Sequence, residues 1–293
     1  MYLLPLLLAL LIQDPQTPSV PAARPAFDAT AKASWDALAK ATFAEKPATA
    51  FDLQFHLRVR PDEIQSNDLT AHYRFLSPGF VRATLESGRE HLRGPKGDYL
   101  IDGEESLKLV GREAAEDKKQ IDETIGVARN FLALTDPARL KPSSVRPGAS
   151  PEGLLPVNLH ERARDLNWIN ITTNGFHLLS STEKLPEGAR RTQQALLGIS
   201  PESSTLQFAV VLEETFGADG VRLRAPQHLL IDLRSTTALD GFQVPRHLRM
   251  HQLIPRQELA QQSPTKFRAK PTFELWLRGG SLRPRFSADD FLP

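Results

Sequence analysis

The sequence predicts an α+β protein built on a curved antiparallel β-sheet, a half-barrel with helices packed on its concave face. Residues 51–60 alternate apolar and polar side chains, and residues 69–102 hold short β-rich runs separated by Gly and Pro turns. Helical periodicity marks residues 28–43 and 111–134, and helices and strands do not alternate regularly along the chain. A parallel sheet of βαβ units is therefore not expected.

The N-terminal element is an apolar run over residues 3–12, interrupted only by Pro5. A membrane-spanning helix needs about 20 apolar residues, whereas a shorter run is typical of a secretory signal. Small residues at 20–23 offer a cleavage site, so residues 1–23 are predicted to be a cleavable signal peptide. The mature protein is then periplasmic or secreted, and an uncleaved membrane anchor is the alternative.

Residues 24–47 are interpreted as a linker and the N-terminal helix, in which Trp35 and Leu38 recur at helical spacing before Pro47. The strand at residues 51–60 follows. Its apolar side chains occupy alternate positions, which indicates one buried and one solvated face.

The rest of the chain, residues 48–293, is predicted to form a single domain with insertions near residues 141–156 and 184–204. The meander extends to about residue 110 and is followed by the helix at 111–134. Residues 141–156 are interpreted as a loop and 190–197 as a short helix. Further strands are predicted at 168–171, 176–179, 206–213, 228–234, 245–253 and 272–278.

Composition excludes several functional classes. The chain has 36 Lys+Arg against 35 Asp+Glu, so no global field attracts nucleic acid or anionic lipid. It has no cysteine, which excludes a disulfide framework, thiol catalysis and a lipid-modified cysteine.

Candidate catalytic and metal-binding patterns are weak. His247 and His251 would share one face of a helix, but Pro245 and the surrounding pattern predict a strand, where they lie about 13 Å apart. Ser200 follows Gly198 but lacks the second glycine of a nucleophile elbow. The carboxylate pairs at 104–105 and 213–214 are interpreted as solvated loop charges. No catalytic residue, metal or cofactor is therefore expected.

The order of these elements resembles the LolA-like superfamily of exported carriers. An N-terminal helix leads into a long amphipathic strand at 51–60, and residues 74–82 resemble the family's strand, proline and aromatic-x-Arg step. Residues 94–102 resemble its turn before an aromatic strand, and 279–286 its C-terminal turn and Phe. The chain departs from the lipoprotein carrier at Ser77, where the carrier has an Arg.

The resemblance implies a non-enzymatic carrier or binding protein for a lipid, lipoprotein acyl group or other apolar ligand in the cell envelope. An envelope protein partner is possible under this hypothesis, whereas nucleic acid and a stable membrane span after cleavage are not expected. The alternative is a structural or interaction module whose core is filled by its own helices. The candidate lining residues of the cavity are Leu53, Phe55, Leu57, Phe208, Val210, Leu212, Leu229, Ile231 and Leu233.

Overall fold

The structure, a computed structural model, describes residues 27–42, 49–59, 61, 67–77, 79–111, 115, 117–118, 141–151, 153–174, 185–223, 226–255 and 267–293. The predicted signal peptide, most of the predicted helix at 111–134 and the predicted strand at 176–179 lie outside the described residues.

The described strands form one open antiparallel sheet of thirteen strands in the order β6-β5-β4-β3-β2-β1-β13-β12-β11-β10-β9-β8-β7. The strands are β1 (Ala50–Val59), β2 (Asn67–Leu76), β3 (Phe80–Leu85), β4 (Glu90–Gly94), β5 (Gly97–Asp102), β6 (Glu105–Lys108), β7 (Ser144–Pro147), β8 (Asn167–Asn174), β9 (Arg190–Ile199), β10 (Leu206–Phe216), β11 (Gln227–Leu239), β12 (Phe242–Pro255) and β13 (Phe267–Ser281). Helix α1 is Ala29–Thr42 and the single-turn helix α2 is His160–Ala163. Short 3₁₀ turns are Val157–Leu159 and Ala288–Phe291.

Strand β1 shows why the sheet has two distinct faces. Its apolar residues Phe51, Leu53, Phe55 and Leu57 are buried together, while the residues between them are more exposed. The strand pairs with β2 on one side and with β13 on the other. The first and the last strand in the sequence, β1 and β13, are therefore neighbours in the middle of the sheet.

Helix α1 defines the concave face. It contacts β7 and β8 at one edge and also β12, which is four strands away from β8 in the sheet. The sheet is open and curved, and α1 packs against its concave face, which confirms the predicted fold class.

The helix docks through Ala31, Trp35 and Leu38, which are buried on one stripe. Its N-terminus is capped by Asp28, whose Oδ1 accepts a 3.0 Å hydrogen bond from the Ala31 backbone N–H. Within the described ranges, no helix has the length and apolar content needed to cross a bilayer.

Two segments cover parts of the convex face. Residues 154–166, including α2, pack over β8 to β13 in a cluster with Trp168, Phe208 and Val210. The C-terminal residues 286–291 pack over β2 to β5, where Phe291 meets Leu92 and Tyr99. The sheet is consequently apolar on both faces in these regions.

Beside these two segments, the convex face has a row of alternating charges. Asp232, Arg249, Glu274, Arg58 and Asp68 are successive cross-strand partners on β11, β12, β13, β1 and β2. Arg249 Nη2 donates to Glu274 at 3.0 Å, and Arg58 donates to both oxygens of Asp68 at 2.6 and 2.9 Å. We call these five residues the charge ladder.

Two predictions about local structure are wrong. The helix predicted at 190–197 is strand β9, part of the range that was predicted as an insertion, and it pairs with both β8 and β10. The loop predicted at 141–156 contains the edge strand β7, which pairs with β8. The pairing partners available on both sides of β9 outweigh the helix propensity of its Gln, Ala and Leu residues.

Candidate functional site: the concave face of the sheet

The concave face carries a continuous apolar surface. Six of the nine predicted lining residues lie on it, in the cluster that also contains Trp35 and Leu38 of α1. They are Leu53, Phe55 and Leu57 on β1 and Leu229, Ile231 and Leu233 on β11. Leu53 and Phe55 are 0% exposed, so these side chains are part of the hydrophobic interior.

The placement predicted for the other three lining residues is corrected by the structure. Phe208, Val210 and Leu212 lie on the convex side of β10, opposite Asp232, Leu230 and His228. Phe208 and Val210 are buried there beneath residues 154–166. Their apolar character therefore reflects a cover on the outer face and does not indicate a cavity.

The residues of β10 that do lie on the concave face are Ala209 and Val211. Ala209 is smaller than Phe208, and Val211 is the same size as Val210, so side-chain size along β10 favours the outer face. Glu213 has the same parity as Ala209 and Val211, and its charge suggested a solvated position. The pattern of the sequence alone does not separate the two faces, because both are covered.

One end of the concave face is polar. Thr173, Gln193 and Glu213 are successive cross-strand partners on β8, β9 and β10, and Arg191 is opposite Thr215. These five residues, which we call the polar end, have the parity of the apolar residues Ile171, Ala195 and Val211.

The polar end is buried and connected. Gln193 Nε2 donates to Glu213 Oε2 at 2.9 Å, and Arg191 Nε lies 3.1 Å from Glu213 Oε1. The side chains of Arg191 and Glu213 are only 7% and 5% exposed. The interpretation of Glu213 as a solvated loop charge is therefore wrong, and its position on the same face as Val211 is the signal that would have identified it.

Burial also affects two isolated ionisable groups in the sheet. Desolvation raises the pKa of Tyr73, which packs edge-to-face on Phe55 at 5.6 Å, to about 12. Desolvation together with the nearby charge of Arg89 lowers the pKa of His91, against the opposing effect of Asp117. Both side chains are therefore neutral at pH 7.

His247 and Ser200, the candidates for metal binding and for a nucleophile, do not lie on the concave face. His247 stacks on Trp276 with ring centroids 5.0 Å apart and bonds to Glu274 at 2.7 Å, on the convex face. Ser200 lies in the β9–β10 turn, where its hydroxyl accepts a bond from the Ser203 backbone. Among the residues that the structure describes, no group of three His, Cys, Asp or Glu side chains is arranged to hold a metal ion.

No family model matches the sequence, and no curated protein matches it. The solved structures that resemble the chain include three whose matches span most of it. One is a LolA superfamily protein from Nitrosomonas europaea, 12% identical, with a TM-score of 0.42 and coverage of 90% of this chain and 97% of that chain.

The other two are a DUF1329 family protein from Desulfovibrio piger and a domain described as outer membrane lipoprotein-sorting from Vibrio parahaemolyticus. Each is 8% identical with a TM-score of 0.42, and each match covers 89% of this chain and 97% of the other.

Proposed function

We propose that this protein is an exported, non-enzymatic carrier or binding protein that holds a lipid, lipoprotein acyl group or other apolar ligand on the concave face of its sheet. The observation that carries the proposal is the continuous apolar concave surface, which is covered in part by one short N-terminal helix. The proposed location is the periplasm or the exterior of the cell, and the proposed form is one domain after removal of the signal.

The energetics of helix α1 support ligand exchange. Its two large buried side chains, Trp35 and Leu38, contribute about 3–6 kcal/mol together if each fully buried side chain contributes about 1.5–3 kcal/mol. An acyl chain of about 16 methylenes would gain about 13 kcal/mol at about 0.8 kcal/mol per CH₂. A ligand that displaced the helix would therefore replace more apolar burial than it removed.

A second function is favoured by a different observation. The concave residues Leu53 and Phe55 are completely buried in the structure, as expected of a structural or interaction module whose interior is already filled. Such a protein would bind a partner through its exterior and would carry no lipid.

Lipid extraction and native mass spectrometry of the purified protein distinguish the two functions. The carrier is expected to retain lipid at a reproducible stoichiometry after purification from the cell envelope. Repeated absence of bound lipid, also after incubation with an envelope lipid extract, would refute the carrier and favour the module.

Two adjacent valines on β10 provide a matched pair of variants. Val211 lies on the concave face and Val210 on the convex face, and both are buried. Val211→Phe and Val210→Phe are each expected to lower the free energy of unfolding by about 1–3 kcal/mol through overpacking. Only Val211→Phe is expected to reduce the amount of bound lipid, and an equal reduction in both variants would contradict a ligand on the concave face.

A further inference from the structure

The polar end of the concave face contains a buried hydroxyl group that lacks a hydrogen-bond partner among the described residues. Thr173 is only 2% exposed, and its Oγ1 has no hydrogen-bond partner in the part of the chain that the structure describes. Buried hydroxyl groups are nearly always hydrogen-bonded, and leaving one unbonded is unfavourable. The hydroxyl therefore lies where a ligand atom could complete its bonding.

The neighbouring ion pair strengthens this assignment. The side chains of Arg191 and Glu213 are both more than nine-tenths buried and lie 3.1 Å apart, at the end of an apolar surface. A buried ion pair is often no more stabilising than apolar residues of similar size. Stability alone therefore does not account for the pair, whereas a few polar groups beside an apolar surface can orient a ligand.

The spacing places this group at the end of the apolar surface. Thr173 and Glu213 are each two residues along their strands from Ile171 and Val211, a distance of about 6.6 Å. A ligand whose apolar chains lay along the concave face would thus bring one end against Thr173, Arg191 and Glu213.

We infer that the polar end is a subsite for the uncharged polar head of an amphipathic ligand, one that bears ester or hydroxyl groups. This inference rests on the proposed carrier function and adds a headgroup class to it. An ester carbonyl accepts from the Arg191 guanidinium, and a hydroxyl donates to the Glu213 carboxylate or bonds to Thr173. Arg191 is already paired with Glu213, so the five residues offer an anionic phosphate no uncompensated positive charge, and the Glu213 carboxylate repels it.

The test compares three probes on the purified full-length protein after lipid removal. The probes are dioleoylglycerol, dioleoylphosphatidic acid with the same acyl chains, and a pyrene-labelled alkane without a headgroup. Affinities are measured by displacement of the alkane fluorescence. Dioleoylglycerol is expected to bind more tightly than dioleoylphosphatidic acid.

The variant Thr173→Val removes the hydroxyl with little change in shape. It is expected to weaken dioleoylglycerol about two- to twelvefold, the contribution of one hydrogen bond, with unchanged alkane binding and an unchanged or raised melting temperature. The control is Thr205→Val, because the Thr205 hydroxyl already bonds to Ser203 and Gln207 in the β9–β10 turn. This control is expected to lower the melting temperature without changing either affinity.

The paired variant Arg191→Leu with Glu213→Leu removes both charges together and should abolish the preference for dioleoylglycerol while keeping alkane binding. If the alkane binds and neither Thr173→Val nor the paired variant affects dioleoylglycerol, the subsite is refuted and the carrier function stands. If phosphatidic acid binds as tightly as dioleoylglycerol, the headgroup class is refuted. If no probe binds, the carrier function fails and the subsite fails with it.

Discussion

Gly198 on β9 is expected to be a position where a single methyl group destabilises the fold. A Cβ atom there would lie 2.8 Å from Cη2 of Trp168 and 2.9 Å from Cδ1 of Leu166. The Trp168 ring cannot move freely, because it stacks on Phe208 at 6.4 Å and its Nε1 donates to the Ala163 carbonyl at 3.1 Å. The variant Gly198→Ala must therefore displace a fixed side chain.

The magnitude follows from three contributions. Overpacking costs about 1–3 kcal/mol, and loss of the Trp168 hydrogen bond costs about 1 kcal/mol. Replacing Gly by Ala in a strand recovers about 0.5–1 kcal/mol of backbone entropy. The free energy of unfolding is thus expected to fall by about 1–3 kcal/mol.

Urea denaturation followed by tryptophan fluorescence measures this change, since Trp168 reports directly on the site. Gly279→Ala on β13 is the control, because a Cβ there would meet no atom within 4 Å, and its stability should be unchanged or slightly raised. A Gly198→Ala protein as stable as the wild type would refute the close packing of Trp168 on β9. If the clash is the cause, the penalty should also shrink when Trp168 is replaced by Leu.

Two further predictions concern the convex face. Burial raises the pKa of Glu274, but hydrogen bonds from Arg249 and His247 outweigh burial and leave it below its ordinary value. Its contribution to stability is therefore present at neutral pH and is lost as the pH falls below about 4.5. Glu274→Gln should unfold more easily at pH 7 and show a shallower loss of stability between pH 5 and pH 3 in urea titrations, whereas parallel curves for the two proteins would contradict this role. Gly94→Ala would place a Cβ 1.9 Å from the Phe291 carbonyl oxygen, so the C-terminal turn must leave β4, with a loss of about 1.5–3 kcal/mol for exposing Phe291. Limited proteolysis should then remove the C-terminal residues faster than in the Gly279→Ala control, and equal cleavage rates would show that the turn does not depend on this contact.

The alternation in β1 identified both the strand and its buried face, because one side of that strand is polar throughout. The same reasoning chose the wrong face of β10. There Phe208 and Val210 pack under residues 154–166, and Val211 packs on the concave side. Both faces of β10 are therefore apolar, and alternation alone does not show which face is concave. A strand covered on two faces loses the contrast on which the prediction depends.

The later strands were located but predicted too short. β11 spans Gln227–Leu239 and β13 spans Phe267–Ser281, against predictions of 228–234 and 272–278. Register shifts near Leu233 and Met250 change which residues share a face, so the alternation breaks although the strand continues. The polar end was missed for a related reason. Two adjacent carboxylates, Glu213 and Glu214, are typical of a solvated loop, and only the pairing of β9 with β10 places Glu213 on a buried face.

The charge ladder has a consequence for any exchange of contents on the opposite side of the sheet. A slip of one residue between neighbouring strands turns every side chain to the other face. For β1, β12 and β13 such a slip would carry Arg58, Arg249 and Glu274 into the interior and separate each from its ionic partner. The ion pairs on the convex face thereby fix the register of β1, β12 and β13. A change in what occupies the concave side would therefore leave the pairing of these strands intact.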